Sequence, residues 1–242
     1  MGKILVIGES CKDIFVYCNA QRLAPDIPVP VLDVEYITEN PGMAMNVKNN
    51  IEKLTSDCEI VTNDNWEDIT KTRYVHEQSN HTFIRIDSKF NPKPLNLKIE
   101  YSNYDLLVIS DYNKGFLSEE AIESICKNHR LVFLDTKKKL GTWASQATII
   151  KINDYEYKRS IARLTPHITD KIIHTHGKTG CTFRGEHFPV NEVNVKDSSG
   201  AGDAFMAALA VKYLESTDIK LSIKFANKCA SQVVAKRGVA LI

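Results

Sequence analysis

The fold class follows from residues 105–135, which begin Asp105-Leu-Leu-Val-Ile-Ser110 and end Leu131-Val-Phe-Leu-Asp135. Both runs are short, apolar and rich in branched side chains, which is typical of strands buried on both faces of a parallel sheet. Between them, Ser118 precedes two glutamates and a helical pattern that extends to residue 128, as a capping residue precedes first-turn acids in a helix. The segment therefore predicts a strand–helix–strand unit.

The same alternation extends through most of the chain. Further strands are predicted at 3–9, 59–62, 148–152 and 171–175, and further helices at 44–54, 203–214 and 221–235. Residues 181–184 and 187–190 predict a hairpin at the sheet edge. Together these patterns predict a doubly wound α/β fold, with a mostly parallel sheet and helices on both faces.

Two stretches interrupt the alternation. Residues 13–40 contain Pro25, Pro28 and Pro30 with alternating valines, and residues 71–90 hold two strand patterns around a polar turn at Ser79-Asn80. We interpret them as a small antiparallel β lid inserted into a single domain of residues 1–242. An exposed edge on such a lid would favour a homodimer.

Composition excludes several classes of protein. The chain is 43% hydrophobic and 25% charged, which argues against a disordered protein. Its net charge of +1 gives no reason to expect nucleic acid or an anionic membrane as the main partner. Its six cysteines form no C-x-x-C pair, and we expect them to be core thiols in a reducing compartment. No apolar run approaches the roughly 20 residues that cross a bilayer, so a cytoplasmic protein is expected.

The segment Gly200-Ala201-Gly202-Asp203 opens an apolar helix. Two glycines let the backbone approach a ligand closely, and the amides at a helix start form an anion site. With a phosphate on those amides, Asp203 would be placed to accept a proton from an attacking hydroxyl. A glycine-rich turn with Asp203 as an ordinary first-turn acid is the alternative.

Two further segments contain polar groups at or directly after the ends of strands. Asn153 and Glu156 are spaced to share one face of a helix turn, where they suit hydrated magnesium or a helix cap. The glycine-punctuated loop at residues 175–180 suits a nucleotide phosphate or a plain turn. His174 and His176 alternate onto one strand face, which raises a metal site as an alternative, although two histidines without an identified third ligand are a weak signal for a metal.

Other polar residues are candidates for sugar contacts. Gly42 permits close approach of a ligand, and Asn46 offers both donor and acceptor groups to hydroxyls. Asp111 and Lys114 follow a buried strand at its carboxyl end, where ligands bind in open α/β sheets. Gly8-Glu9-Ser10 is not a dinucleotide fingerprint, which disfavours a dehydrogenase.

In this order the segments resemble the ribokinase-like (PfkB) carbohydrate kinases and, among them, the D-glycero-β-D-manno-heptose 7-phosphate kinases. The family-wide parts are Asn153-x-x-Glu156 and Asp197-x-x-Gly-Ala-Gly-Asp203. The more particular parts include the proline-rich run at 22–32 and Ser110-Asp-Tyr-Asn-Lys-Gly115. The resemblance covers most of the chain.

The resemblance implies an ATP-dependent sugar kinase in which Asp203 deprotonates the anomeric hydroxyl of a heptose 7-phosphate. The amides of Gly200, Ala201 and Gly202 would neutralise the developing charge. ATP and Mg²⁺ are implied as cofactors, and a monovalent cation is left open. The implied contacts are Thr175, Gly177, Lys178, Gly180, Asn227 and Ser231 for the nucleotide; Asp13, Gly42, Asn46, Arg85, Asp111, Lys114 and Lys137 for the sugar phosphate; and, through water, Asn153 and Glu156 for Mg²⁺.

Two departures from the family pattern are visible; the first leaves the sugar open, and the second bears on stability or dimerisation. Met43 stands where a second glycine is expected, and a strand–helix unit expected between residues 61 and 71 is missing. The alternatives are a kinase for another sugar or sugar phosphate, and a non-catalytic sensor of a sugar or nucleotide. Retention of Asp203 with its glycines argues against a sensor, which needs no base.

Overall fold

The computed structural model describes residues 2–55, 57–96 and 98–242. Within these ranges the chain forms twelve strands and six helices. The strands are β1 (Ile4–Gly8), β2 (Ser10–Leu23), β3 (Pro30–Met43), β4 (Cys58–Val61), β5 (Thr70–His76), β6 (Thr82–Asp87), β7 (Leu106–Asp111), β8 (Val132–Thr136), β9 (Ile149–Asn153), β10 (Ile172–Thr175), β11 (Cys181–Phe183) and β12 (Glu186–Phe188). The helices are α1 (Ala44–Leu54), α2 (Glu119–Asn128), α3 (Asp154–Ser160), α4 (Pro166–Thr169), α5 (Ala201–Ser216) and α6 (Ile219–Val234).

Eight strands form one large sheet in the order β12-β11-β10-β9-β8-β7-β1-β4. The strands from β4 to β10 in this order are parallel, and β11 runs antiparallel to both of its neighbours. The chain moves from β1 to β4 on one side and then to β7 on the other, so the strand order reverses beside β1. Ligands bind at such switch points, outside the carboxyl ends of the strands. The predicted doubly wound, mostly parallel sheet is confirmed.

Helices cover both faces of this sheet because successive side chains of a buried strand point to opposite sides. Val6 belongs to the cluster that contains Val47 of α1 and Phe205 of α5. Its neighbour Leu5 belongs to the opposite cluster, with Ile122 of α2. Ser118 caps α2 as predicted, since its side chain accepts a hydrogen bond from the Ala121 amide.

The four remaining strands form a second sheet in the order β3-β2-β5-β6, which we call the lid. The β2–β3 and β5–β6 pairs are antiparallel, but β2 and β5 pair in parallel from Lys12 and Thr70 onward. The prediction of a purely antiparallel lid is therefore wrong. The reason lies in the large sheet, because β2 and β5 continue from the carboxyl ends of β1 and β4, which are parallel neighbours.

Two other features bear on the sequence-based expectations. All six cysteines are buried and none is disulfide-bonded, as predicted. Across the described residues, no helix combines the length and apolar character needed to span a membrane. Residues 62–69 lead from β4 straight into the lid strand β5, so the strand–helix unit expected there is absent from this connection.

Candidate active site

Asp203 lies in the first turn of α5 with 6% of its surface exposed. Its Oδ1 atom accepts a hydrogen bond from the Tyr112 hydroxyl at 2.7 Å, and its Oδ2 atom accepts one from the Asn46 side-chain amide at 2.8 Å. Burial raises the pKa of Asp203, although both hydrogen bonds oppose that effect. A carboxylate whose pKa is raised is a stronger proton acceptor when it is ionised, which suits a general base.

The glycines before Asp203 allow close packing. Gly200 has a φ of +81°, and a Cβ atom there would lie 2.9 Å from the Asn46 amide nitrogen. A Cβ atom on Gly202 would lie 2.8 Å from the Lys151 ammonium. The absence of side chains at these glycines thus lets the N-terminus of α5, where the first backbone amides of the helix lie, pack against both side chains.

A cavity of about 770 Å³ opens next to these amides and is lined by Ala201, Gly202 and Lys151. Valines and Phe205 supply an apolar part of its wall, as expected for a site that takes a flat, partly apolar ligand. All six residues predicted to contact the nucleotide line this same cavity: Thr175, Gly177, Lys178, Gly180, Asn227 and Ser231.

The far side of the cavity depends on Gly180 and Asn227. Gly180 has a φ of +98°, and a Cβ atom there would lie 2.1 Å from the Phe188 carbonyl oxygen, so only glycine fits. The Asn227 amide donates to the same carbonyl at 2.9 Å. Asn227 therefore also joins α6 to the edge hairpin.

A buried group of charges lies beneath the cavity. Lys151 is 4% exposed, and its ammonium lies 2.6 Å from Asp135 Oδ2. Lys137 lies 2.8 Å from Glu156 Oε1 and 3.3 Å from Asp135 Oδ1. Burial opposes the charge of Lys137, but the Asp135 and Glu156 carboxylates outweigh burial and raise its pKa. Lys137 therefore stays charged next to Asp203.

Asn153 and Glu156 form a capping box at the start of α3. Asn153 Oδ1 accepts from the Glu156 amide at 3.0 Å, and Glu156 Oε2 accepts from the Asn153 amide at 2.8 Å. Glu156 Oε1 also accepts from the Asn153 side chain at 3.0 Å. Direct ligation of a metal would break this box and the Lys137 contact, so these oxygens fit hydrated Mg²⁺ held through water.

On the lid side of Asp203, Asp13 and Gly42 lie together. Asp13 Oδ1 lies 2.6 Å from the Arg73 guanidinium, and a Cβ atom on Gly42 would lie 2.2 Å from Asp13 Oδ2. Gly42 is thus needed to let the Asp13 carboxylate pack onto the backbone. This places a mostly buried carboxylate–guanidinium pair at the base of the lid.

Four other predicted sugar contacts have different surroundings. Asn46 holds Asp203 and accepts a hydrogen bond from Asn50. Asp111 is buried, with its carboxylate bonded to Thr136, Lys138 and the Asn113 amide. Lys114 has an exposed side chain, and Arg85 pairs with Asp87 on the exposed edge strand β6. Of these four, the hydrogen bonds bring only Asn46 to Asp203.

Met43 ends β3 with a φ of +61° and a ψ of −129°, a conformation that favours glycine. Its side chain is 2% exposed and packs with Cys11 and Ile69 under the lid, where Tyr112 also packs. Met43 therefore supports the ring of the tyrosine that donates to Asp203. The positive φ accounts for the glycine that the family pattern expects at this position.

Sequence reasoning missed three residues of this site: Tyr112, Lys71 and Lys151. Tyr112 lies within the predicted Ser110–Gly115 motif, and the Lys71 ammonium lies 5.2 Å from the centroid of its half-buried ring. Lys151 sits in the apolar run of β9, where a lone charge in a buried strand was the available signal.

Solved structures of known proteins share this fold. The ribokinase of Thermotoga maritima superposes with a TM-score of 0.75 and 18% identity, over 99% of this chain and 95% of that chain. Phosphofructokinase-2 of Escherichia coli, solved in complex with potassium, gives a TM-score of 0.69 and 15% identity, over 100% of this chain and 95% of that chain. The chain therefore has the ribokinase-like fold.

The sequence assigns the family. The pattern of the pfkB family carbohydrate kinases matches residues 43–242, and the chain belongs to this family of ATP-dependent carbohydrate kinases. It is 30% identical to the bifunctional protein HldE of Helicobacter pylori, over all of this chain and 64% of that protein. It is 28% identical to HldE of Pseudomonas savastanoi, over 99% of this chain and 61% of that protein.

The alignment with the first of these relatives spans 300 positions, although this chain has 242 residues. The relative therefore carries segments that this chain lacks, in agreement with the short connection between β4 and β5. The chain spans less than two thirds of the length of these relatives.

Proposed function

We propose that the chain transfers the γ-phosphate of ATP to the anomeric hydroxyl of a heptose 7-phosphate, with Asp203 as the base. The observation that carries this proposal is the placement of Asp203. This carboxylate is buried, its pKa is raised, and it lies at the start of α5 beside the nucleotide cavity that Gly202 lines. A carboxylate with only a capping role has no need of this environment.

In the proposed reaction the sugar hydroxyl takes the place of the Tyr112 hydroxyl on Asp203, or shares the carboxylate with it. The anomeric oxygen gives its proton to Asp203 and bonds to the γ-phosphorus, while the bond from that phosphorus to the bridging oxygen of ADP breaks. Amides of Gly200, Ala201 and Gly202 donate to the oxygens that gain charge. Mg²⁺, when bound through water at Asn153 and Glu156, supplies further charge neutralisation to the phosphates.

Basic side chains on the lid favour a phosphorylated sugar over a neutral one. Lys71 lies against Tyr112, next to Asp203, and within the described residues no carboxylate lies within 4.0 Å of its ammonium. Arg85 on β6 lies directly opposite Arg73 on β5, so the two side chains are on the same face of the lid. This face also holds Asp13, which forms an ion pair with Arg73. Lys114 adds an exposed ammonium beyond β7. We propose that this group binds the 7-phosphate, with Lys137 near the transferred phosphate.

The base is tested by Asp203→Asn, with the exposed Asp170→Asn as a matched control. Loss of a general base lowers turnover by about 10²–10⁴-fold. We expect ATP binding, measured by calorimetry, to persist, because Asp203 lies beside the nucleotide cavity and not in its wall. Turnover within tenfold of wild type in Asp203→Asn would refute the assignment.

The substrate is tested by ATP turnover with Mg²⁺ on D-glycero-D-manno-heptose 7-phosphate, fructose 6-phosphate and ribose, each with and without K⁺. The proposal requires strong stimulation by the heptose phosphate. Stimulation by another sugar would keep the mechanism and reject the heptose. Binding of ATP without turnover on any sugar would favour a sensor.

We also propose that a second copy covers the lid, the surface formed by β3, β2, β5 and β6. The strand register of the lid places Ile37, Val16, Tyr74 and Ile84 side by side on one face, across β3, β2, β5 and β6. The two outer residues, Ile37 and Ile84, are 57% and 51% exposed. An isologous dimer would bury this row against itself. The double variant Ile84→Glu/Ile86→Glu should be monomeric by analytical ultracentrifugation, whereas Ile161→Glu, equally exposed outside the lid, should not differ from wild type. A wild type that is monomeric at micromolar concentrations rejects the dimer.

A further inference from the structure

Outside the proposed reaction centre, three potential metal ligands meet at the end of β10. His174 Nε2 lies 2.7 Å from Asp154 Oδ1, and His176 Nδ1 lies 2.8 Å from the same oxygen. All three ligand atoms lie within 4.8 Å of one another. The two histidines lie on one side of the strand, and Asp154 approaches from the first turn of α3.

The surroundings of the two imidazole rings resemble those of metal-binding histidines more than those of a histidine–carboxylate ion pair. His176 Nε2 lies 2.9 Å from the Thr182 hydroxyl, an outer contact that orients the ring and turns Nδ1 toward Asp154. The His174 ring is stacked on Tyr157 with centroids 4.1 Å apart. His174 Nε2 is buried and, in the part of the chain that the structure describes, has no hydrogen bond of acceptable geometry despite its closeness to Asp154.

We propose that His174, His176 and Asp154 bind a divalent transition metal of the Zn²⁺ type, with one position left to water. Two imidazoles and one carboxylate form a ligand set that suits Zn²⁺ and disfavours Mg²⁺, which prefers oxygen. Tetrahedral Zn²⁺ separates neighbouring ligand atoms by about 3.3 Å. The Asp154 carboxylate must therefore move outward by about half an ångström, and its 53% exposure leaves it room to do so.

The position of this site suggests what the metal does. Thr175 lies between the two histidines and lines the nucleotide cavity, and the His176 amide donates to the Gly180 carbonyl at 2.8 Å. A metal would therefore join the start of α3 to the wall formed by residues 175–180. It would brace the nucleotide loop from outside and would not take part in phosphoryl transfer.

The test is Zn²⁺ titration of the full chain by calorimetry, with thermal unfolding as a second readout and millimolar Mg²⁺ present throughout. We expect one Zn²⁺ per chain and a rise in melting temperature. Asp154→Asn and His176→Gln should weaken binding at least about 100-fold, and Thr182→Val about tenfold, as the loss of an outer-shell partner does. His167→Ala, exposed on α4, is the matched control and should bind like wild type.

Three outcomes would overturn the proposal. The first is no saturable Zn²⁺ binding by wild type at about 100 µM. The second is loss of that binding when Mg²⁺ is present at about ten times that concentration. The third is unchanged affinity in Asp154→Asn and His176→Gln, which would move the metal to other groups of the chain. Asp154→Asn keeps the size of the side chain, so a folded variant is available for the comparison.

Discussion

Substitutions of Met43 test whether the backbone at the end of β3 is strained. With φ at +61° and ψ at −129°, this residue lies where a Cβ atom is strained. Such a conformation costs a residue with a side chain of order 1–3 kcal/mol and costs glycine almost nothing. At the same time the Met43 side chain is 2% exposed, so its packing contributes to the stability of the folded protein.

The two contributions separate when Met43→Ala is compared with Met43→Gly. Alanine removes the packing but keeps the strained Cβ atom, so we expect a loss of about 2–5 kcal/mol in the free energy of unfolding. Glycine removes the packing, adds about 0.5–1 kcal/mol of chain entropy, and relieves the strain of about 1–3 kcal/mol. The glycine variant should therefore be more stable than the alanine variant by about 1 kcal/mol, although both are less stable than wild type.

The measurement is equilibrium unfolding in urea, with the same pair of substitutions at Val47 as the control. Val47 is fully buried one turn into α1, where the backbone is helical. There glycine should be the less stable replacement, by about 1 kcal/mol. If Met43→Gly were also less stable than Met43→Ala by a similar margin, the strain at Met43 would be refuted.

Two further predictions concern the buried charges and the base. Lys151→Met leaves the buried Asp135 with Lys137, 3.3 Å away, as its remaining cationic partner, so the free energy of unfolding measured in urea should fall by up to about 3–5 kcal/mol. Adding Asp135→Leu should restore part of this loss; no recovery would mean that the Lys151–Asp135 pair is not the cause. Tyr112→Phe removes a hydrogen bond that lowers the pKa of Asp203. Because the reaction needs the ionised carboxylate, kcat/KM falls as pH drops through that pKa, and in the variant this fall should begin at higher pH. An acidic limb that stays in place or moves downward would contradict the assignment of Asp203 as base.

Local patterns made much of the fold predictable. The helix predicted at 44–54 is α1, Ser118 caps α2, and the edge hairpin turns at Gly185, because each depends on neighbours in sequence. A helix turn with a cap at Asn153 was one of the two predicted alternatives and is α3, whereas the four-residue helix α4 was not predicted. The parallel pairing of β2 with β5 was mispredicted because it depends on the directions of β1 and β4 in the large sheet.

The site was predictable where a motif carries it and unpredictable where it depends on contacts between distant segments. The glycines around Asp203 and the loop at 175–180 are contiguous in sequence. By contrast, the hydrogen bond between Asn46 and Asp203 joins residues 157 positions apart, and no local pattern predicts it. Asp154 completes the histidine pair only because β9 and β10 are adjacent, which no spacing in the sequence expresses.

The short connection between β4 and β5 shows which parts of the fold the site requires. Ser10, at the start of the lid, donates its amide to Asn63 Oδ1 at 2.8 Å, and the Thr62 hydroxyl donates to the Ser10 hydroxyl at 2.7 Å. The segments that lead from β1 and from β4 into the lid are thus bonded to each other. Next to Ser10, Glu9 accepts the Tyr112 amide at 2.7 Å, and Tyr112 in turn donates to Asp203. Hydrogen bonds and short covalent links through Ser10, Glu9 and Tyr112 thus connect the start of the lid to the base, and this connection includes residues 62 and 63 but no residue of the missing strand–helix unit.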